Sequence, residues 1–137
     1  MAIGTLVDAN ALLDILTDDP RWYSWSSGAV ATAIESGTVF INPIIYAEVS
    51  VNFAAIEVLD DALRHAEFQR LPLPWSASFL AGKAHAEYRR RGGSKAATLP
   101  DFFIGAHAAV SQLSLLTRDV SRYRTYFPTV NLISPIH

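Results

Sequence analysis

With 137 residues, half of them hydrophobic and only 18% charged, the chain is long enough to bury a sizeable core and too apolar for disorder. A formal charge of -2 excludes no partner, but the absence of cysteine excludes disulfides, thiolate catalysis and zinc–thiolate sites. No basic stretch precedes an apolar run at the N-terminus, and the apolar segment from Phe102 to Leu116 is too short to span a bilayer. A single cytoplasmic domain over residues 1–137, with no membrane partner, is therefore expected.

Ile3 to Val7 is apolar without alternation, which predicts a strand buried on both faces and ending at Asp8. Ala9 to Leu16 has helical composition. Asp18, Asp19 and Pro20 open a second helix running towards Glu35, closed by Gly37. Thr38 to Ile41 is the next strand. Asn42 and Pro43 then begin a helix, or two shorter ones, with apolar positions at Val49, Phe53, Ile56, Leu59 and Leu63. Phe68 to Leu73 is a strand that Pro72 and Pro74 confine to a sheet edge or a loop.

Trp75 to Arg91 reads as an amphipathic helix with Phe79, Leu80 and Ala86 inward, ended by Gly92 and Gly93. Thr98 caps the next helix, Pro100 is tolerated in its first turn, and Asp101 meets the helix dipole there. The body of that helix, Phe102 to Val110, has almost no polar face and is expected to be buried. Leu113 to Leu116 gives a fourth strand, Val120 to Tyr126 a short helix, and Val130 to Ile133 a last strand. Strands alternating with helices predict an α/β fold, a parallel sheet covered on both faces.

Sites in such sheets form at the carboxyl ends of strands and the adjoining helix starts. Four acids occupy that kind of position: Asp8, Glu48, Asp101 and Asp119. Capping or solvation explains any one of them alone. Converged, they would repel by about 4 kcal/mol per pair at roughly 4 Å with an effective dielectric near 20, so a cation must offset them. A set of oxygen donors without cysteine or a neighbouring histidine favours a hard ion, Mg²⁺ or Mn²⁺, and phosphodiester hydrolysis is the matching chemistry.

The segments VDAN (7–10), PIIYAE (43–48), LPDFFIGAHA (99–108) and LLTRD (115–119) resemble, in order and spacing, the PIN domain family, specifically the VapC-type toxin ribonucleases of bacterial toxin–antitoxin pairs. The resemblance is poorest between Ala54 and Gly93. It implies a three-layer α/β/α fold with about five parallel strands, divalent-metal-dependent endoribonuclease activity, a homodimer and a small antitoxin (VapB-like) partner. It places Asp8, Glu48, Asp101 and Asp119 at the family's four acidic positions, as catalytic residues and metal ligands. Asn10 matches a polar residue that orients the first acid, and Thr117 the hydroxyl before the last. Ala9 departs from the Thr or Ser of many relatives.

Seven of the eleven cationic residues are Arg89, Arg90, Arg91, Lys95, Arg118, Arg122 and Arg124. Of these, Arg89, Arg90, Arg91, Lys95 and Arg118 lie close enough in sequence to the acids to hold RNA phosphates, for which arginine's fork is suited. Trp22, Tyr23, Trp25 and Phe53 are expected antitoxin contacts. His107 reads as a satisfied core histidine, while His65, His85 and His137 receive no role. Gly105, inside a helix, implies a close approach by another part of the structure. Two rival functions are an aspartyl-nucleophile phosphatase using Asp8, disfavoured because Asn10 cannot act as its acid, and a non-catalytic RNA- or protein-binding PIN module. A dehydrogenase lacks its glycine fingerprint after Val7.

Overall fold

The computed structural model of the protein describes residues 4–63, 67–93 and 97–135. Five strands, β1 (Thr5–Val7), β2 (Val39–Ile41), β3 (Phe68–Arg70), β4 (Ser114–Leu116) and β5 (Leu132–Ile133), form one sheet. Its order is β3-β2-β1-β4-β5 and every pairing is parallel. Helices α1 (Ala9–Leu16), α2 (Tyr23–Ser36), α3 (Pro43–Ser50), α4 (Ile56–Leu63), α5 (Trp75–Arg90) and α6 (Leu99–Val110) complete the three-layer α/β/α arrangement.

The central strand is buried on both faces, with Leu6 and Val7 fully covered, which is why its sequence does not alternate. The chain leaves β1 towards β2 on one side and returns at β4 on the other. That reversal of strand order opens a crevice at the carboxyl ends of β1 and β4, the place where parallel sheets hold ligands. Asp8 follows β1 there and Thr117 follows β4. The Asp8 amide donates to the Leu116 carbonyl at 2.9 Å, so the two ends are joined by backbone.

Helix α6 is the most deeply buried of the helices, with Phe102, Ile104, Ala106, His107 and Ala108 at or below 1% exposure. Phe102 makes edge contacts with His85, Tyr126 and Phe127. Gly105 is where Phe127 comes closest: a Cβ there would stand 2.4 Å from the ring. The expected close approach therefore comes from the segment after β4.

Several boundaries and faces differ from expectation. On α5, Phe79 is 69% exposed and Ala86 also faces solvent, while Ala77 and Ala81 are buried and Leu80, Ala84 and Tyr88 are half-buried. Small side chains at Ala77, Ala81 and Ala84, at a spacing of four and three residues, let α5 lie close on its neighbour, so the inward stripe is set by size rather than by hydrophobicity. Ile56 is exposed as well, although Val49, Leu59 and Leu63 are buried as expected. Helix α2 begins at Tyr23 because Asp18 is in the left-handed region and Asp19 accepts the amides of Arg21 and Trp22, forming a turn first. The segment after β4 holds only a 3₁₀ turn, Val120–Arg122, and β5 is confined to Leu132–Ile133. β3 sits at the sheet edge, as its flanking prolines require. Ile3, His65, Lys95 and His137 lie outside the described residues.

Candidate functional site

Asp8 caps α1 with one carboxylate oxygen and uses the other as a hub. Oδ1 accepts the Ala9 amide at 2.7 Å. Oδ2 accepts the Thr117 hydroxyl at 2.9 Å, the Tyr123 hydroxyl at 2.7 Å and, more weakly, the Asn10 amide at 3.5 Å. Thr117 Oγ1 in turn accepts from Asn10 Nδ2 and from the Asp119 amide, both at 3.1 Å. Asn10 closes the network by accepting the Arg118 amide at 3.2 Å. Burial nonetheless raises the Asp8 pKa, against the hydrogen bonds from Tyr123, Thr117 and Ala9.

Asp101 sits in the first turn of α6, 3% exposed. Its Oδ2 accepts the Thr98 amide at 2.9 Å and the Thr98 hydroxyl at 3.2 Å, the reach-back arm of a capping box. Its Oδ1 accepts from Arg122 at 3.2 Å. Arg122 extends its Nε to Asp119 at 2.8 Å, so one guanidinium bridges two carboxylates. Burial works against that charge, but Asp101 and Asp119 outweigh it and hold the arginine firmly protonated.

Glu48 lies on α3, half-buried. Burial, then the charges of Asp8 and Asp101, push its pKa to about 7, with Arg122 pulling the other way. Those mutual effects place Asp8, Glu48 and Asp101 in one electrostatic neighbourhood. Asp119 joins it through Arg122 and Thr117. Among the described residues, no three His, Asp or Glu side chains converge into a ready-made metal cage. The chemistry of the donor set still fits a hard divalent ion: it is all oxygen, the charges of Asp8 and Asp101 raise the pKa of Glu48, and Arg122 is the cation paired with two of the acids.

Helices α3 and α6 are stitched together behind the acids. Asn42 caps α3 by accepting the Ile45 amide at 2.9 Å, which leaves its Nδ2 to donate to His107 Nδ1, also at 2.9 Å. His107 is thus a neutral acceptor at Nδ1, and burial lowers its pKa.

A family model for the PIN domain matches residues 5–128, and so spans all four acids and both joined strand ends. The chain belongs to the PIN domain family. A comparison with curated proteins by sequence finds no match. Among solved structures, this PIN domain is similar to a chain of VapBC2 from Rickettsia felis bound to a promoter DNA fragment, with 16% identity, TM-score 0.71, and 95% of this chain and 97% of that one covered. It is also similar to FitAcB from Neisseria gonorrhoeae (18%, TM-score 0.69, 93% and 95% covered). VapBC-1 from nontypeable Haemophilus influenzae is a third such relative (15%, TM-score 0.70, 93% and 95% covered).

The other expected contacts are dispersed around this PIN domain. Arg118 is held by Asp14, through Nε at 2.6 Å and Nη2 at 3.1 Å, and lies over the Trp22 ring at 5.0 Å. Arg90 and Arg91 pair with Glu87 on α5, and Arg89 is exposed beside them. Trp22, Trp25 and Phe53 are half-buried and Tyr23 is 41% exposed. Among the described residues, no helix is long and apolar enough to cross a membrane.

Three residues that bear on the site carried no assignment from sequence. Tyr123 is fully buried against Asp8 and its own pKa is raised by that burial and by the Asp8 charge. Arg122 pairs with Asp119 at the i,i+3 spacing, a short-range signal that was available. Asp14 is buried on α1 with Ser26 and Arg118 as partners, a pairing across 104 residues that periodicity does not reveal.

Proposed function

We propose that this PIN domain is a Mg²⁺- or Mn²⁺-dependent RNA endonuclease, acting as the cytoplasmic toxin of a type II toxin–antitoxin pair. The observation that carries the reading is the gathering of Asp8, Glu48 and Asp101 at the carboxyl end of the parallel sheet, where burial first, and then the charges of Asp8 and Asp101, push Glu48 to about 7. Carboxylates gathered under mutual repulsion are the side chains that a divalent ion would neutralise.

Asp8, Asp101 and Asp119 would hold the ion, with Glu48 either completing the set or positioning the attacking water. Bound there, a divalent ion supplies polarisation of the phosphodiester and activation of that water. The chain's own residues do the rest. Thr117, Tyr123 and Asn10 fix the Asp8 carboxylate, and Thr98 fixes Asp101 at the helix start, so the acids are aimed before substrate arrives. Arg89, Arg90, Arg91, Lys95 and Arg118 are the residues we assign to holding RNA phosphates. The similar solved structures are toxin–antitoxin complexes, which supports a small protein antitoxin for this chain, and a homodimer is the assembly we assign to it.

Asp8→Asn and Asp101→Asn, each assayed for RNA cleavage with Mg²⁺ and with EDTA, test the reading. Loss of cleavage in both variants and in EDTA is expected. Full activity in either variant, or in EDTA, removes the metal-dependent mechanism. Metal-independent RNA binding without cleavage by the unmodified protein supports a binding module instead.

A further inference from the structure

Arg122 stands between two environments. On one side its guanidinium bridges Asp101 and Asp119, at 3.2 and 2.8 Å. On the other it lines a cavity of about 300 Å³ that also includes Arg91, Ser121, Tyr88 and Tyr126. That cavity has the chemistry of a nucleotide subsite, lined by two arginines, a serine and aromatic rings beside the acidic set; among the described residues Arg91 is paired with Glu87 through Nε alone, which leaves its terminal nitrogens for a ligand. An arginine whose hydrogen bonds all go to metal ligands, however, is not free to hold a phosphate.

We propose that Arg122 is an exchangeable counter-cation: it holds Asp101 and Asp119 in the metal-free protein, yields them to a divalent ion, and then binds an RNA phosphate at the adjoining cavity with Arg91. The proposal rests on the nuclease reading above. It explains why the acids carry an internal cation at all, and it makes RNA binding depend on prior metal loading. The arginine is 39% exposed, so it can change partners without unpacking the core.

Two measurements on the wild type, Arg122→Gln and Arg122→Lys test it. Mn²⁺ binding is followed by the electron paramagnetic resonance of free Mn²⁺, without RNA. Arg122→Gln is expected to bind Mn²⁺ about threefold to tenfold more tightly than wild type, since no ion pair has to be broken, and Arg122→Lys to lie between them. Binding of a labelled single-stranded RNA is followed by stopped-flow anisotropy, read before cleavage, in Mn²⁺ and in EDTA. In Mn²⁺, Arg122→Gln is expected to weaken binding and to lower the salt slope by about 0.7, one phosphate contact; in EDTA it is expected to match wild type. Superimposable Mn²⁺ titrations, or an RNA defect equal with and without metal, overturn the exchange while leaving a metal-dependent nuclease in place. A wild-type protein that binds no Mn²⁺ and cuts no RNA overturns both.

Discussion

Tyr123 donates its hydroxyl to Asp8 at 2.7 Å across 115 residues of chain. Both groups are buried, so the bond is made where an unmade one costs most. Tyr123→Phe should lower stability by about 2 kcal/mol, measured by chemical denaturation. Because that hydrogen bond pulls the Asp8 pKa down, its loss should raise that pKa further and shift the pH dependence of Mn²⁺ binding upward. A variant with unchanged stability and an unchanged binding profile would show that the hydroxyl does not hold the carboxylate.

Glu48 gives a second prediction. Its folded pKa of about 7 lies above the ordinary glutamate value of 4.5, so between those values the folded state holds more protons than the unfolded one. Stability of the metal-free protein therefore falls as pH rises through that window, and the penalty is complete above 7. Glu48→Gln should raise the metal-free melting temperature near pH 8 and have little effect near pH 4. His107 acts in the opposite direction, its lowered pKa removing stability as pH falls below the ordinary histidine value, which is why the comparison is made between variant and wild type. An equal shift at both pH values would remove Glu48 from the coupled set.

Gly105 and Phe127 make a steric pair. With the ring 2.4 Å from the position of a Cβ, Gly105→Ala forces Phe127 aside and should cost about 1–3 kcal/mol despite the better helix propensity of alanine. Phe127→Leu in the same chain should recover part of that loss, so a double-mutant cycle in denaturant gives a coupling energy clearly different from zero. Simple additivity would mean that the two positions do not meet.

The Asp14–Arg118 pair is a structural prediction rather than a catalytic one. Asp14 is 2% exposed and accepts both from Arg118 and from Ser26. Asp14→Ala leaves those donors without their acceptor and should destabilise the protein by about 3 kcal/mol, the lower end for a buried pair because Arg118 is partly exposed. Cleavage per folded molecule should survive. A stable variant without activity would instead tie this pair to the chemistry.

The positions of Asp8 and Asp101 were legible because each sits at a strand end or helix start, where a short motif and its local capping role share one position, whereas Glu48 lies in the last turn of α3. Strand count and parallel pairing followed from apolar runs alternating with helices. What was not legible depends on distance or on size. Tyr123 and Asp14 act through partners 115 and 104 residues away, which no periodicity encodes. The face of α5 was misassigned because large apolar residues were placed inward, whereas close helix contact selected Ala77 and Ala81. Arg122 was visible as a charge, but its bridging role needs the positions of two acids at once.

The pairing of β1 with β4 also has a consequence in time. Asp8 is translated more than a hundred residues before its hydroxyl partners Thr117 and Tyr123 and its neighbouring strand β4. A nascent chain that stops short of β4 lacks the Leu116 carbonyl and the two hydroxyls that hold Asp8. Synthesis order thus withholds the fixed Asp8 carboxylate until β4 has joined the sheet.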